Sequence, residues 1–298
     1  MELHISDIAG SSLASLEYIP LTLYRAYALA LVIWVWSGDI DLKGCATCPW
    51  GSLYEDRKSH DLVSISMSSI VKRAKELGVD IVFLHGGEPV SKPWLPSLID
   101  RLKLHGIKLG IKVRAEMIEK RVNISSLGLV DAILVEIPSW ISGDLLKKVL
   151  YENILSILNK EDLYIELLLT DVYLEKQLSE KLVELNRFLE TLPRTRQPVP
   201  IGLQAHGLEE SKILSLVSMI SRTCNGVCYV IESNTKISPE EIKCPRCGTI
   251  VARRKGIIVI PAKPDSAECP RCGGRIFSLE PHRVRRTIPA LSPVYIER

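Results

Sequence analysis

Eight cysteines fall in four pairs: Cys45/Cys48, Cys224/Cys228, Cys244/Cys247 and Cys269/Cys272. In a reducing compartment paired cysteines point to metal, cluster or redox chemistry before structural disulfides. The last two pairs are the most specific. Each reads Cys-Pro-Arg-Cys-Gly, and 21 residues separate them. That spacing predicts a tetrahedral four-thiolate zinc ribbon, with two disulfides as the competing reading. A closed all-sulfur site is structural, so it implies stability or docking and not catalysis. Cys224 and Cys228 sit where a helix turns into a strand, which predicts a local disulfide or plain packing.

A second chemical feature lies at Ile81-Val82-Phe83-Leu84-His85-Gly86-Gly87-Glu88-Pro89-Val90. An apolar run stopped by Gly-Gly-Glu-Pro reads as a buried parallel strand that delivers a small-residue turn and one carboxylate at its C-terminal end. Ligands of α/β folds bind at such ends. Gly86, Gly87 and Glu88 are therefore candidate ligand contacts, and a plain strand terminus is the bland alternative. His85 and His206 end two different strands and are weaker candidates. Glu166 falls inside the strand Tyr164-Ile165-Glu166-Leu167-Leu168, where an inward carboxylate needs a partner.

These residues need elements to hold them. Apolar runs at 28–36, 81–86, 107–113, 130–137, 163–170, 199–205 and 226–231 read as strands. Helical patterns at 64–77, 93–105, 143–158, 174–189 and 209–221 fall between them. Alternation of this kind predicts a parallel α/β body, read as a full or partial (β/α) barrel, with a doubly wound sheet as the competitor. Residues 1–27 are an N-terminal extension, 28–235 the barrel, 236–278 the zinc ribbon and 279–298 a basic tail.

With 298 residues, 46% apolar and 24% charged, the chain can bury one large core. A net charge of +3 is too mild to imply nucleic acid. Nor does the ribbon, with its basic Arg253, Arg254 and Lys255, show interleaved aromatics for base stacking. The longest apolar run, Ala26 to Trp36, is too short for a bilayer, and no basic leader opens the chain. These features predict a cytoplasmic protein. Only three glutamines occur, which leans toward a thermophilic source.

A cysteine-bearing loop after the first parallel strand, followed by a strand ending in Gly-Gly-Glu-Pro, resembles the radical SAM superfamily. In that family a partial (β/α) barrel holds a [4Fe-4S] cluster on Cys-x3-Cys-x2-Cys, and the Gly-Gly-Glu turn contacts the amino group of S-adenosylmethionine. The twin Cys-Pro-x-Cys-Gly knuckles are similar to the ribbon of the AmmeMemoRadiSam branch, itself related to pyruvate formate-lyase activating enzymes. The resemblance implies S-adenosylmethionine contacts at Gly86, Gly87 and Glu88, with Glu166 and His206 as further candidate cofactor-binding residues from their places in the strands. It places iron–sulfur ligands at Asp41, Cys45 and Cys48.

Here the chain departs from the family, because Asp41 stands where the first cysteine belongs. A carboxylate is a harder donor than thiolate and weakens such a cluster. Three readings of the loop stand open: an altered cluster site, a redox or disulfide pair, and inert residues. The implied functions are a radical-SAM-type enzyme with altered or lost activity, acting on a protein or small-molecule substrate, or a non-catalytic barrel that serves as a scaffold or partner protein through its ribbon.

Overall fold

A computed structural model describes residues 2–16, 19, 21–36, 62–119, 124–158, 163–170, 175–192, 198–204, 209–223, 227–231, 240–255, 258–282 and 292–297. Nine strands in the first four-fifths of the chain are β1 (His4–Ser15), β2 (Leu29–Val35), β3 (Val63–Ser66), β4 (Ile81–Gly86), β5 (Lys108–Arg114), β6 (Ala132–Pro138), β7 (Tyr164–Thr170), β8 (Ile201–Gln204) and β9 (Cys228–Ile231). The ribbon contributes β10 (Glu240–Lys243), β11 (Ile250–Lys255) and β12 (Ile258–Pro261). A final β13 (Ser292–Pro293) returns to the main sheet.

The helices are α1 (Met67–Leu77), α2 (Leu95–Leu104), α3 (Ala115–Glu119), α4 (Ile124–Leu127), α5 (Gly143–Ile157), α6 (Glu175–Thr191) and α7 (Glu210–Thr223). Within α5 the turns from Lys148 to Ile154 widen to π pitch. Helix starts follow capping chemistry. Ser66 accepts from the Ser69 N–H to open α1, and Ser142 accepts from Leu145 to open α5.

The main sheet runs β13-β1-β2-β4-β5-β6-β7-β8-β9, with β3 beside β1. From β2 to β9 all pairings are parallel and follow chain order. Right-handed crossovers that always step the same way put every helix on one face. The core agrees. Ile70, Leu98, Leu146, Leu182 and Ile213 pack with Leu31, Leu84, Ile111, Val135 and Leu167 on the helix side. Because the strand order never reverses, the doubly wound alternative is excluded. The expected full barrel is also corrected to an open α/β sheet: β9 and β13 end the ladder on opposite sides, with no strand joining them among the described residues.

Alternate strand residues face the other way. Val32, Phe83, Leu134, Tyr164 and Tyr229 form a second core with Leu16, Leu21, Leu23 and Tyr24, and with Ile242, Val251, Val259, Ile276 and Phe277 of the ribbon. In the N-terminal extension, β1 lies antiparallel to β2 from Ile8↔Val35 to Ser15↔Leu29. The 279–298 segment, expected to be a tail, places Ser292 and Pro293 against Leu13 and Ser12.

Tyr229 fits flat over β8 because residue 202 is glycine. A Cβ there would lie 2.8 Å from the tyrosine oxygen. Gly202→Ala is therefore expected to cost about 1–3 kcal/mol in urea unfolding and to displace the Tyr229 ring, seen as a changed near-ultraviolet circular dichroism signal.

Candidate functional site

The metal-capable residues are built by two nearly superimposable turns. In the first, the Gly248 N–H donates to the Cys244 carbonyl at 2.9 Å and the Cys244 N–H to the Thr249 carbonyl at 2.8 Å. In the second, Gly273 donates to Cys269 at 3.0 Å and Cys269 to Gly274 at 2.8 Å. Gly248 and Gly273 adopt φ of +69° and +67°, the left-handed turn that lets the chain fold back after each knuckle.

All four sulfurs lie within 4.8 Å of one another. Cys244 Sγ is 3.7 Å from Cys272 Sγ, and Cys247 Sγ is 3.6 Å from Cys269 Sγ. A disulfide needs about 2.05 Å, so these are not disulfides. A tetrahedral ion with metal–sulfur bonds of about 2.3 Å sets its sulfurs about 3.8 Å apart, and the four cysteines fit it.

Their electrostatics ask for a cation. Burial pushes the Cys244 thiol up to about 12, whereas the Thr249 hydroxyl and N–H bring Cys247 down to about 6. Four adjacent thiolates are held together only by a positive charge among them.

The ribbon is docked onto the sheet. Ser278 and Leu279 donate backbone bonds of 2.9 Å to the carbonyls of Leu23 and Tyr24. Asp80, just ahead of β4, receives Arg25 at 2.8 Å and His282 at 2.7 Å. At the centre of the seam is Glu166, fully buried. Its Oε2 accepts from the Thr22 N–H at 2.7 Å and from the Tyr164 hydroxyl, and its Oε1 accepts from the Tyr229 hydroxyl. Arg254 of β11, 2% exposed, lies 4.1 Å from the Tyr229 ring centroid and donates to Thr22 Oγ1 at 3.0 Å. Sequence placed Arg254 in a basic surface patch; the structure buries it.

A separate polar cluster gathers at the C-terminal ends of β2, β4, β5 and β6. His85 packs at a tilt against Trp34 with centroids 4.7 Å apart, and its Nδ1 accepts the Gly86 N–H at 2.6 Å. Gly87 donates to the Val35 carbonyl at 2.7 Å. Lys112 pairs with Glu136 at 2.9 Å, and Arg114 pairs with Glu116 at 2.9 Å. The Arg114 N–H reaches the Glu88 carboxyl at 3.4 Å, and its guanidinium lies 5.8 Å from the Trp140 ring centroid. Burial pushes Glu88 up to about 8, against the lowering effect of Lys112. Burial and the Lys112 charge also hold His85 well below the usual histidine range, so it is neutral.

Of the sequence candidates, Gly86, Gly87 and Glu88 thus share this strand-end cluster, while Glu166 sits deeper, in the ribbon seam. His206, Asp41, Cys45, Cys48 and Cys224 lie outside the described residues; Cys228 is disulfide-bonded. Sequence reading missed Lys112, Arg114 and Glu136. Their signal was present as charges at alternate positions of otherwise apolar strands, the mark of polar groups on one face.

No family model matches the chain, and no curated protein is similar to it. The radical SAM resemblance is therefore corrected. Among the described residues the set that converges on a metal is Cys244, Cys247, Cys269 and Cys272, four cysteines and not an aspartate-substituted triad. The readings that hung on that resemblance fall with it: S-adenosylmethionine, the iron–sulfur cluster, the activating-enzyme likeness and an enzyme altered by Asp41. What stands is a mixed α/β fold with a four-cysteine cluster able to bind a metal. No described helix is long and apolar enough to cross a membrane.

The buried carboxyls set a pH dependence. Burial raises Glu166 from 4.5 to about 7, only partly offset by the Tyr164 and Tyr229 hydroxyls. A raised carboxyl pKa means that the folded state holds a proton which the unfolded chain has lost, so stability falls as pH rises from about 4.5 to about 7. The Glu166 contribution is about 3 kcal/mol over that window. Glu88 extends the fall to about 8. Unfolding free energy measured from pH 5 to pH 9 should decline, and Glu166→Gln should flatten the part below pH 7. An unchanged slope in the variant would show that Glu166 does not titrate there.

Proposed function

We propose that the protein is a zinc-stapled α/β binding protein, with a structural metal in the ribbon and a small-ligand surface at the C-terminal ends of β4, β5 and β6. The observation that carries this reading is the division of the sheet's non-helical face. The ribbon together with Leu16, Leu21, Leu23 and Tyr24 covers the N-terminal halves of the strands with apolar side chains, and the Lys112–Glu136 pair and Glu88 collect at the opposite ends.

Zinc is the metal that four thiolates in closed tetrahedral geometry favour, and it leaves no open position for a substrate. At the strand ends, neutral His85, the high-pKa Glu88 and the Lys112–Glu136 pair present donors and acceptors in close to charge balance. Such a set suits a polar molecule with both oxygen acceptors and hydrogen-bond donors better than a multiply charged anion. The Gly86-Gly87 turn allows its close approach. A scaffold role through the ribbon is the second reading. It is favoured by Ile260, which is 47% exposed on β12.

Purified protein should carry one zinc per chain. Cys269→Ser should lose it and more than about 4 kcal/mol of stability, as loss of a structural metal does. For the ligand surface, a thermal-shift screen of polar metabolites should give a hit whose stabilisation is lost in Lys112→Met. A screen without hits, or hits indifferent to Lys112→Met, would leave the scaffold reading in its place.

A further inference from the structure

Arg254 is a guanidinium on a ribbon strand, inserted into the main sheet's interior. Buried arginines are rare, and a desolvated one is retained only with partners. Its partners come from two other segments: the face of Tyr229 on β9 and the hydroxyl of Thr22. Both lead to the same carboxyl, because the Tyr229 hydroxyl and the Thr22 N–H each donate to Glu166 on β7. Leu23 completes the set by donating to the Tyr164 oxygen at 3.0 Å. Arg254 thus holds, from the ribbon side, two of the groups that donate to Glu166.

The same ribbon strand is tied to the metal-capable turn. β11 pairs with β10 from Glu240↔Arg254 to Lys243↔Ile250, and Cys244 follows directly. We propose that Arg254 is a latch that couples metal occupancy of the four-cysteine centre to order in β7 and β9. This rests on the reading of that centre as a structural zinc site. With metal bound, the knuckle fixes the start of β11 and holds Arg254 over Tyr229. When the metal leaves, the hairpin loosens, Arg254 withdraws, and Tyr229 and Thr22, which donate to Glu166, lose the contact that holds them. Coupling of this kind is reciprocal, so weakening the latch must also weaken zinc retention.

The test uses full-length protein and two readouts. Zinc transfer to a colorimetric chelator is timed for wild type, Arg254→Met and Thr22→Val. Leu185→Ala, in the helix-side core, serves as a variant destabilised elsewhere. Backbone hydrogen exchange is then compared with and without metal. Arg254→Met should release zinc about tenfold faster and Thr22→Val several-fold faster, the size of effect expected for a buried cation–π contact and a buried hydrogen bond. Leu185→Ala should release it at the wild-type rate. Metal removal should raise exchange in 163–170 and 227–231 more than in 108–114. If Arg254→Met does not fold, Thr22→Val and the exchange comparison decide. One zinc per chain with unchanged release in the variants, or unchanged exchange in β7 and β9 on metal removal, overturns the latch and leaves the metal reading standing. Wild-type protein without zinc overturns both.

Discussion

The ribbon buries much of the sheet face opposite the helices, and the proposed metal on four sulfur atoms would fix that ribbon's turns. A three-stranded sheet of this size has too little core to stand unaided, and small modules of this kind normally take a metal or disulfides. Here the sulfurs lie too far apart for disulfides and at the right spacing for one ion. The fixed turns then present Ile242, Val251, Val259 and Phe277 to Phe83, Tyr164 and Tyr229. The ribbon is therefore less an appended domain than the second wall of the core.

That arrangement explains why a carboxyl group is tolerated inside the sheet. Glu166 alone would be costly, and its raised pKa reports the residual cost. Two tyrosine hydroxyls and a backbone N–H satisfy its oxygens, and Arg254 holds Tyr229 and Thr22 from across the seam. The network makes sheet and ribbon depend on each other with a specificity that apolar packing alone would not give. Gly202 belongs to the same design, since any side chain there would push Tyr229 off its partner.

Much of this was legible from residue order. The apolar runs gave the parallel strands to within a few positions, because a strand buried on both faces has no polar alternation to confuse it. The twin knuckles gave the four cysteines that converge on one point, since Cys-x2-Cys followed by glycine fixes a local turn whatever surrounds it. β1 was not legible. Its burial alternates irregularly, because a bulge between Ile8 and Gly10 shifts register. Arg254 was misplaced for a related reason. Next to Arg253 and Lys255 it looks like surface, and only the partner strand shows that its side chain turns inward. The family resemblance failed for a different reason: a Gly-Gly-Glu-Pro turn and two cysteine pairs are short motifs, and no family model matches the chain that carries them. The Glu88 carboxyl that carried the likeness is 2% exposed and pushed up to about 8, so it stays protonated at neutral pH.

If four cysteines close around one zinc ion and so hold the second wall of the core, X-ray absorption at the zinc edge of purified protein will show one zinc with four sulfur neighbours at about 2.3 Å. Iron in its place, oxygen or nitrogen in the first coordination shell, or cysteines oxidised to two disulfides would contradict it.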